Sequence, residues 1–373
     1  MAVSIVRTDK PADARRAVEL LGGMDKFVKP GEKVVIKPNI ACGKDSTTGA
    51  VTDPEMVAEV CRMVKECGAL PVVAESPIYP FKSAKVYPKA GYGDFKARYG
   101  FPFVDIDNAE FREVRIPKGK MVQHSFISLD VLNCDKLINM PVMKTHLQTV
   151  VSMSLKNLKG TVVGKQKHII DMQGLDDGIV DINTLVKTNL VVMDGIFGME
   201  GTGGPTNGSP VKLGVIVAGD NRVEVDSAGI QIMGGSPKKV THVRLAAERG
   251  LGSLDGFDVL GDSIASVSRK CELPGRPDLN RILITGVTLR IWDAFREPWA
   301  RLTGGERVMK SSRTRPGDLI IDKELCDGCR QCLKACPVDA LSYDDLLDCD
   351  DEACIRCMCC AEVCTRGALR KQF

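Results

Sequence analysis

Aromatic residues are scarce: 2 Trp, 5 Tyr and 11 Phe in 373 residues. That leaves little to stack on nucleobases, on which single-stranded nucleic-acid grooves depend. Charge of one sign is lacking too, with 51 Lys and Arg against 48 Asp and Glu. The formal +3 implies no polyanion, so no nucleic-acid partner is expected. No apolar run approaches the roughly 18 residues of a membrane span. The opening MAVSIVRTDK has no apolar signal core, and Arg15-Arg16 is not followed by one. A cytoplasmic protein without a membrane span is the expectation. Nucleotide signatures are missing as well. Gly203 to Gly208 has the glycine spacing of a phosphate loop, but Ser209 stands where lysine is required.

Cysteine is abundant, at 15 residues. In a chain without an export signal this points to metal ligation in a reducing compartment. Cys326, Cys329, Cys332 and Cys336 read C-x2-C-x2-C-x3-C, followed by Pro337. Cys354, Cys357, Cys360 and Cys364 repeat the spacing, with Thr365 in place of proline. Each run carries the bacterial signature for a [4Fe–4S] cluster. A structural zinc site needs four ligands, fewer than the two runs supply. Cys359 could compete with Cys360, but only Cys360 keeps the x2 spacing. Cys42, Cys61, Cys67, Cys134, Cys271, Cys349 and Cys359 read as small apolar residues.

These last fifty or so residues resemble bacterial two-cluster ferredoxins, a small α+β fold. The resemblance implies exchanged fourth ligands. Cys326, Cys329, Cys332 and Cys364 would hold one cluster. Cys354, Cys357, Cys360 and Cys336 would hold the second.

Residues 1–262 alternate strand-like and helix-like segments, as in an α/β domain with a mostly parallel sheet and crossover helices. Strands are expected at 3–7, 33–40, 71–76, 103–107, 136–139, 190–196, 212–219 and 257–260. Helices are expected at 12–24, 54–67, 150–159, 222–233 and 237–249. Thr52 or Asp53 caps the second helix, with Pro54 in its first turn. Residues 263–316 read as a breaker-rich linker and packing segment, basic at 301–315. Residues 317–373 form the cluster domain.

Ligands of open α/β sheets bind outside the carboxyl ends of the strands. Lys37, Asn39, Glu75 and Asp194 fall there. Residues 140–168 concentrate Lys144, His146, Lys156, Asn157, Lys159 and His168. On the expected helix, Ser152, Lys156 and Lys159 share a face. The lysines suit an anionic small molecule or a covalent adduct, and the histidines suit proton transfer or metal ligation. The glycine-rich stretch 194–210 reads as a loop closing over a ligand, with Glu200 as a candidate acid. Asp226 either pairs with a buried lysine or faces water.

IKPNI at 36–40, TDPE at 52–55, INMPVMKTH at 138–146, SLKNLKG at 154–160, VMDGIFGMEGTGGP at 192–205 and AGDNRVEVD at 218–226 resemble the "domain of unknown function 362" family. The resemblance implies an iron–sulfur protein whose α/β domain has an unsettled activity. The order His146, Lys156, His168 is faintly similar to that of nickel-pincer lactate racemases, without their Gly-Gly-Arg-Lys context. The residues together suggest a redox protein in which two [4Fe–4S] clusters relay electrons between a partner protein and the α/β cleft. A maturation subunit docking a client, or a racemase-like enzyme with a further metal cofactor, are the alternatives.

Overall fold

The computed structural model describes residues 2–164, 166–274, 319–351, 353–354 and 357–371, except the side chains at 168, 169, 172 and 173. The basic stretch 301–315 and the side chain of His168 therefore lie outside the described residues.

Strands β1 (Ala2–Arg7), β2 (Lys33–Pro38), β3 (Leu70–Glu75) and β4 (Phe103–Asp105) come first, then a hairpin of β5 (Phe111–Arg115) and β6 (His124–Ser128). β7 (Lys136–Met140), β8 (Val142–His146), β9 (Val150–Ser152), β10 (Leu190–Glu200), β11 (Ser209–Gly219) and β12 (Asp258–Gly261) follow. The main sheet has the order β12-β1-β11-β10-β7-β2-β3-β4, with β8 on β10 and β9 on β8. The β10–β7–β2–β3–β4 run is parallel, whereas β11 is antiparallel to both β1 and β10. The fold is α/β, as expected.

The strands are apolar on both faces because both faces are covered. Leu190 and Val192 of β10 join the core beneath the helix Pro54–Glu66, while Val191 and Met193 join the opposite core beside the helix Arg222–Ile232. The helix Pro54–Glu66 starts where Asp53 accepts the Glu55 amide and Pro54 occupies the first turn. Met56, Val57, Val60, Met63 and Val64 are buried, each stabilising the fold by about 1.5–3 kcal/mol. The chain leaves this helix through Gly68 at φ +74°.

Three local expectations differ from the structure. The segment 150–159 is a helix only over Ser154–Asn157, because Val150–Ser152 pairs with β8 as β9. The first helix is shorter than 12–24, spanning Ala14–Leu20 between short 3-10 turns. The glycine-rich 194–210 is mostly strand, since β10 and β11 run on as a hairpin and leave only 201–208 as the turn. Gln166–Leu185, helical on both sides of a kink at Gly174 (φ +140°), has no counterpart among the expected helices. It is buried on several sides, including the polar Asp181 and Asn183, and so shows no clean apolar stripe.

At the C-terminus, β13 (Leu319–Ile321) pairs with β16 (Leu369–Lys371), and β14 (Leu341–Tyr343) with β15 (Leu347–Cys349). Two short helices, Gln331–Ala335 and Cys359–Val363, pack between them. Among the described residues no helix is long and apolar enough to cross a membrane.

Candidate functional site

Neighbouring strands β7 and β2 are where the chain's path across the sheet reverses. β2 leads outward to β3 and β4, whereas β7 leads back to β8 and β10. Such a reversal opens a crevice at the carboxyl ends of the strands. Lys37 and Asn139 stand opposite one another there, and Glu75 ends β3. A cavity of about 60 Å³ opens over these ends. Asn39, Glu75, Lys144, Lys156 and Lys159 line it, together with Lys167, Asp171, Cys359 and Glu362.

The floor is a locked polar network. Lys37 Nζ lies 2.5 Å from Glu75 Oε2, with both side chains buried. Burial pushes the Lys37 amine down and the Glu75 carboxyl up, and the charge of each holds the other. Asn157 donates to Asn139 Oδ1 at 2.7 Å, and Asn39 donates to Asn157 Oδ1 at 3.2 Å. Lys144 donates to Asn39 Oδ1 at 2.6 Å and to the Ala50 carbonyl at 2.7 Å. Gly160 admits this arrangement, since a Cβ there would sit 2.7 Å from Glu75 Oε1 and 2.8 Å from Lys37 Nζ.

The walls come from the segment that leaves β9. Asp226, buried in the helix Arg222–Ile232, accepts the amides of Ser154 at 2.7 Å and Leu155 at 3.0 Å. It thereby fixes the short helix carrying Lys156 and Asn157. Lys159 pairs with Asp171, and Lys167 with Asp107 at 2.8 Å. Burial opposes the charge on Lys159, but Asp171 and Glu362 outweigh it and hold its ammonium above the ordinary value. Lys156 has no hydrogen-bond or ion-pair partner among the described residues. Burial, then the neighbouring charge of Lys159, lowers its amine to about 8. Burial lowers Lys144 to about 8 as well.

The roof is the cysteine-rich module. Leu147 packs into its apolar cluster beside Met358 and Cys360. Gln148 donates to the Cys357 carbonyl, Thr206 Oγ1 to the Glu362 carbonyl at 3.0 Å, and Asn207 to the Cys364 carbonyl. His146 Nδ1 accepts the amides of Gln148 at 3.1 Å and Thr149 at 3.3 Å, which puts the ring proton on Nε2. Nε2 lies 3.0 Å from Glu362 Oε1, though out of line for a hydrogen bond. Burial keeps His146 neutral, lowering it to about 3. Burial works against ionisation of Glu362, but Lys156 and Lys159 hold its carboxyl below the ordinary range.

Within the module the two cysteine runs match over the turn and short helix that each contains. Arg330 and Met358 occupy equivalent positions, both at positive φ (55° and 58°), and both precede a short helix. Cys336, Cys354, Cys357 and Cys360 line one apolar cavity with Leu319, Val338 and Leu341. Burial raises the Cys332 thiol to about 11, and its neighbours Cys329, Cys364 and Cys326 push the same way. Four crowded thiols suit a cationic iron–sulfur cage, which takes them as thiolates. By the same equivalence Cys359 matches Gln331 and Cys360 matches Cys332. Cys359 faces the lysine cavity and Cys360 the cysteine cavity.

The remaining candidates lie elsewhere. Glu200 Oε2 accepts the Glu272 amide at 3.0 Å, away from the cavity. Asp194 is buried and accepts the amides of Asp53 at 2.9 Å and Ile196 at 3.1 Å. Asp226 neither pairs with a lysine nor faces water, but holds helix amides. Lys167, Asp171 and Glu362 were not singled out from the sequence. Asp171 follows Lys167 by one helical turn, a usable signal, whereas Glu362 is hidden inside the cysteine run.

Residues 34–231 match the family described as Domain of unknown function (DUF362), and residues 319–342 match a 4Fe-4S binding domain. A thylakoid-associated protein of Synechocystis, sll1697, is 32% identical over 248 residues, covering 65% of this chain and 74% of that protein. One subunit of the H(2):CoB-CoM heterodisulfide,ferredoxin reductase of Methanothermobacter marburgensis is 35% identical over 140 residues. That match covers 32% of this chain and only 19% of the reductase chain. The lactate racemase apoprotein of Thermoanaerobacterium thermosaccharolyticum aligns with a TM-score of 0.38 and 12% identity, over 66% of this chain and 56% of that one.

Proposed function

The chain belongs to the DUF362 family and carries a 4Fe-4S binding domain, and we propose that it is an electron-transfer protein whose two [4Fe–4S] clusters serve a small anion held in the lysine cavity. The observation that carries this reading is the position of Glu362. It sits between Cys360 and Cys364, lines the lysine cavity, and reaches His146 at 3.0 Å. One cluster therefore backs directly onto the cavity.

In this reading Cys336, Cys354, Cys357 and Cys360 hold the inner cluster, and Cys326, Cys329, Cys332 and Cys364 the outer one. Exposed Cys329 marks the side on which a redox partner protein exchanges electrons. The inner cluster passes them one at a time toward the cavity. Lys144, Lys156 and Lys159 orient and neutralise the anion, and the module excludes water from above. His146, neutral and held by two backbone amides, stands 3.0 Å from the Glu362 carboxylate at the boundary between cluster and cavity.

Iron and acid-labile sulfide in protein purified without oxygen test the cluster count. About eight of each per chain are expected, and about four would overturn the second cluster. Cys360→Ser should lose one cluster's iron and Cys359→Ser none. The reverse result would exchange their roles.

A further inference from the structure

Two cysteines of the module belong to neither proposed ligand set: Cys349 and Cys359. The structure gives both thiols a place beside a ligand. Cys349, the last residue of β15, packs on the module's apolar cluster. Its thiol is within hydrogen-bond reach of the Cys354 sulfur, with Cys336 nearby. Buried Cys359 has its thiol within reach of the Cys357 sulfur, and 3.8 Å from the Cys357 carbonyl. That carbonyl already accepts the Gln148 amide. Cys336, Cys354 and Cys357 all fall in the set assigned to the inner cluster.

The outer set supplies the comparison. Backbone amides serve both sets alike. Those of Gln331 and Leu333 reach Cys329 and Cys332. Those of Cys359 and Ala340 reach Cys357 and Cys336, the last at 3.2 Å. The side chains differ. Gln331 opens the first short helix where Cys359 opens the second. The Cys329 sulfur has the Asp327 carboxylate within reach, an acceptor in place of a donor. Each run also has a carboxylate close by. Buried Lys156 and Lys159 oppose Glu362, whereas Asp327 meets exposed Arg366 at 3.2 Å, a pair that water screens.

Resting on the two-cluster reading above, we infer that Cys349 and Cys359 donate hydrogen bonds to ligand sulfurs of the inner cluster and make it the more easily reduced of the two. An iron–sulfur cluster takes its cysteines as thiolates. The ligand sulfur is then the acceptor, and the proton stays on the cysteine that binds no iron. Reduction adds one electron, breaks no bond and leaves more negative charge on the sulfurs. Donors to those sulfurs favour that charge and raise the potential. The Asp327 carboxylate beside Cys329 works the other way on the outer cluster. An electron entering at the exposed side therefore runs downhill toward the cavity. Cys349 and Cys359 are positioning residues in this scheme, acting through Cys354 and Cys357.

The test is an anaerobic redox titration of the full chain, followed by EPR, with iron counted in every sample. In the wild type two midpoints are expected. The higher one should vanish in Cys360→Ser and survive in Cys329→Ser, and the opposite order overturns the inference. Cys349→Ala and Cys359→Ala should each keep about eight irons and lower the higher midpoint alone. Each lost bond should make that reduction about threefold to tenfold less favourable, tenfold being about 59 mV for one electron. Cys349→Ser and Cys359→Ser retain a donor and should stay near the wild-type value. Unmoved midpoints in the alanine variants overturn the inference. So does an equal fall in the serine and alanine variants, since packing alone would then account for it. A wild type with about four irons and a single midpoint instead removes the two-cluster reading itself.

Discussion

Asp194 shows what burial does to a single carboxyl. Its two amide donors do not offset the loss of water, and burial raises it to about 7. The folded form thus keeps a proton that the unfolded chain releases near 4. Between about pH 4 and 7 the unfolded state binds fewer protons, so stability falls as pH rises through that window. Above pH 7 the cost of ionising Asp194 in place is on the order of 4 kcal/mol. Asp194→Asn should flatten the dependence, as measured by anaerobic denaturant unfolding at pH 5.5, 6.5 and 7.5. An unchanged slope would place the proton elsewhere. In the sequence Asp194 reads the same as Glu75, a carboxylate closing an apolar run, although β10 continues past it to Glu200. Only their surroundings differ: Glu75 meets Lys37, while Asp194 meets backbone amides.

At the scale of the element, the short helix Ser154–Asn157 is too brief to hold itself and depends on Asp226. Asp226→Ala would leave the buried Ser154 and Leu155 amides without an acceptor, at a cost of about 1–3 kcal/mol for each. The expected result is a lower unfolding midpoint together with weaker anion binding, because Lys156 and Asn157 ride on that helix. Normal binding in a destabilised variant would show that the lysine is held by other contacts. Much of the architecture was legible from apolar runs punctuated by Gly and Pro, including a helix cap at Thr52 or Asp53, which falls to Asp53, and the parallel relation of β2 and β3. The segment 150–159 misled because Val150 and Val151 suit a strand as well as a helix, and the pairing with β8 that decides between them is not local. Gln166–Leu185 escaped for a related reason: it is enclosed by the sheet, its neighbours and the cavity. Lys37 stood out because it falls at the carboxyl end of a strand, and Lys144, Lys156 and Lys159 because lysine and histidine concentrate in 140–168. Glu362 did not, since it lies inside a run whose cysteine spacing already has a reason of its own.

The whole molecule is a large α/β body with a cysteine-rich module seated over the carboxyl ends of its strands. Seating rests on Leu147, Gln148, Thr206 and Asn207, two stretches of chain far apart in sequence. Removing iron with a chelator should therefore raise amide hydrogen exchange at 147–149 and 204–207 while the sheet core stays protected. Protection unchanged at those stretches would mean that the seat does not depend on metal. Three of the polar contacts that hold the module are accepted by main-chain carbonyls, those of Cys357, Glu362 and Cys364, beside the Glu362 carboxylate that faces Gln148 and His146. That part of the grip follows the path of the module's backbone, and in the proposed reading the path is drawn by cysteines around iron. Damage to that iron by oxygen would then lift the lid, and an injury to the wiring would become an open door to the amines beneath it.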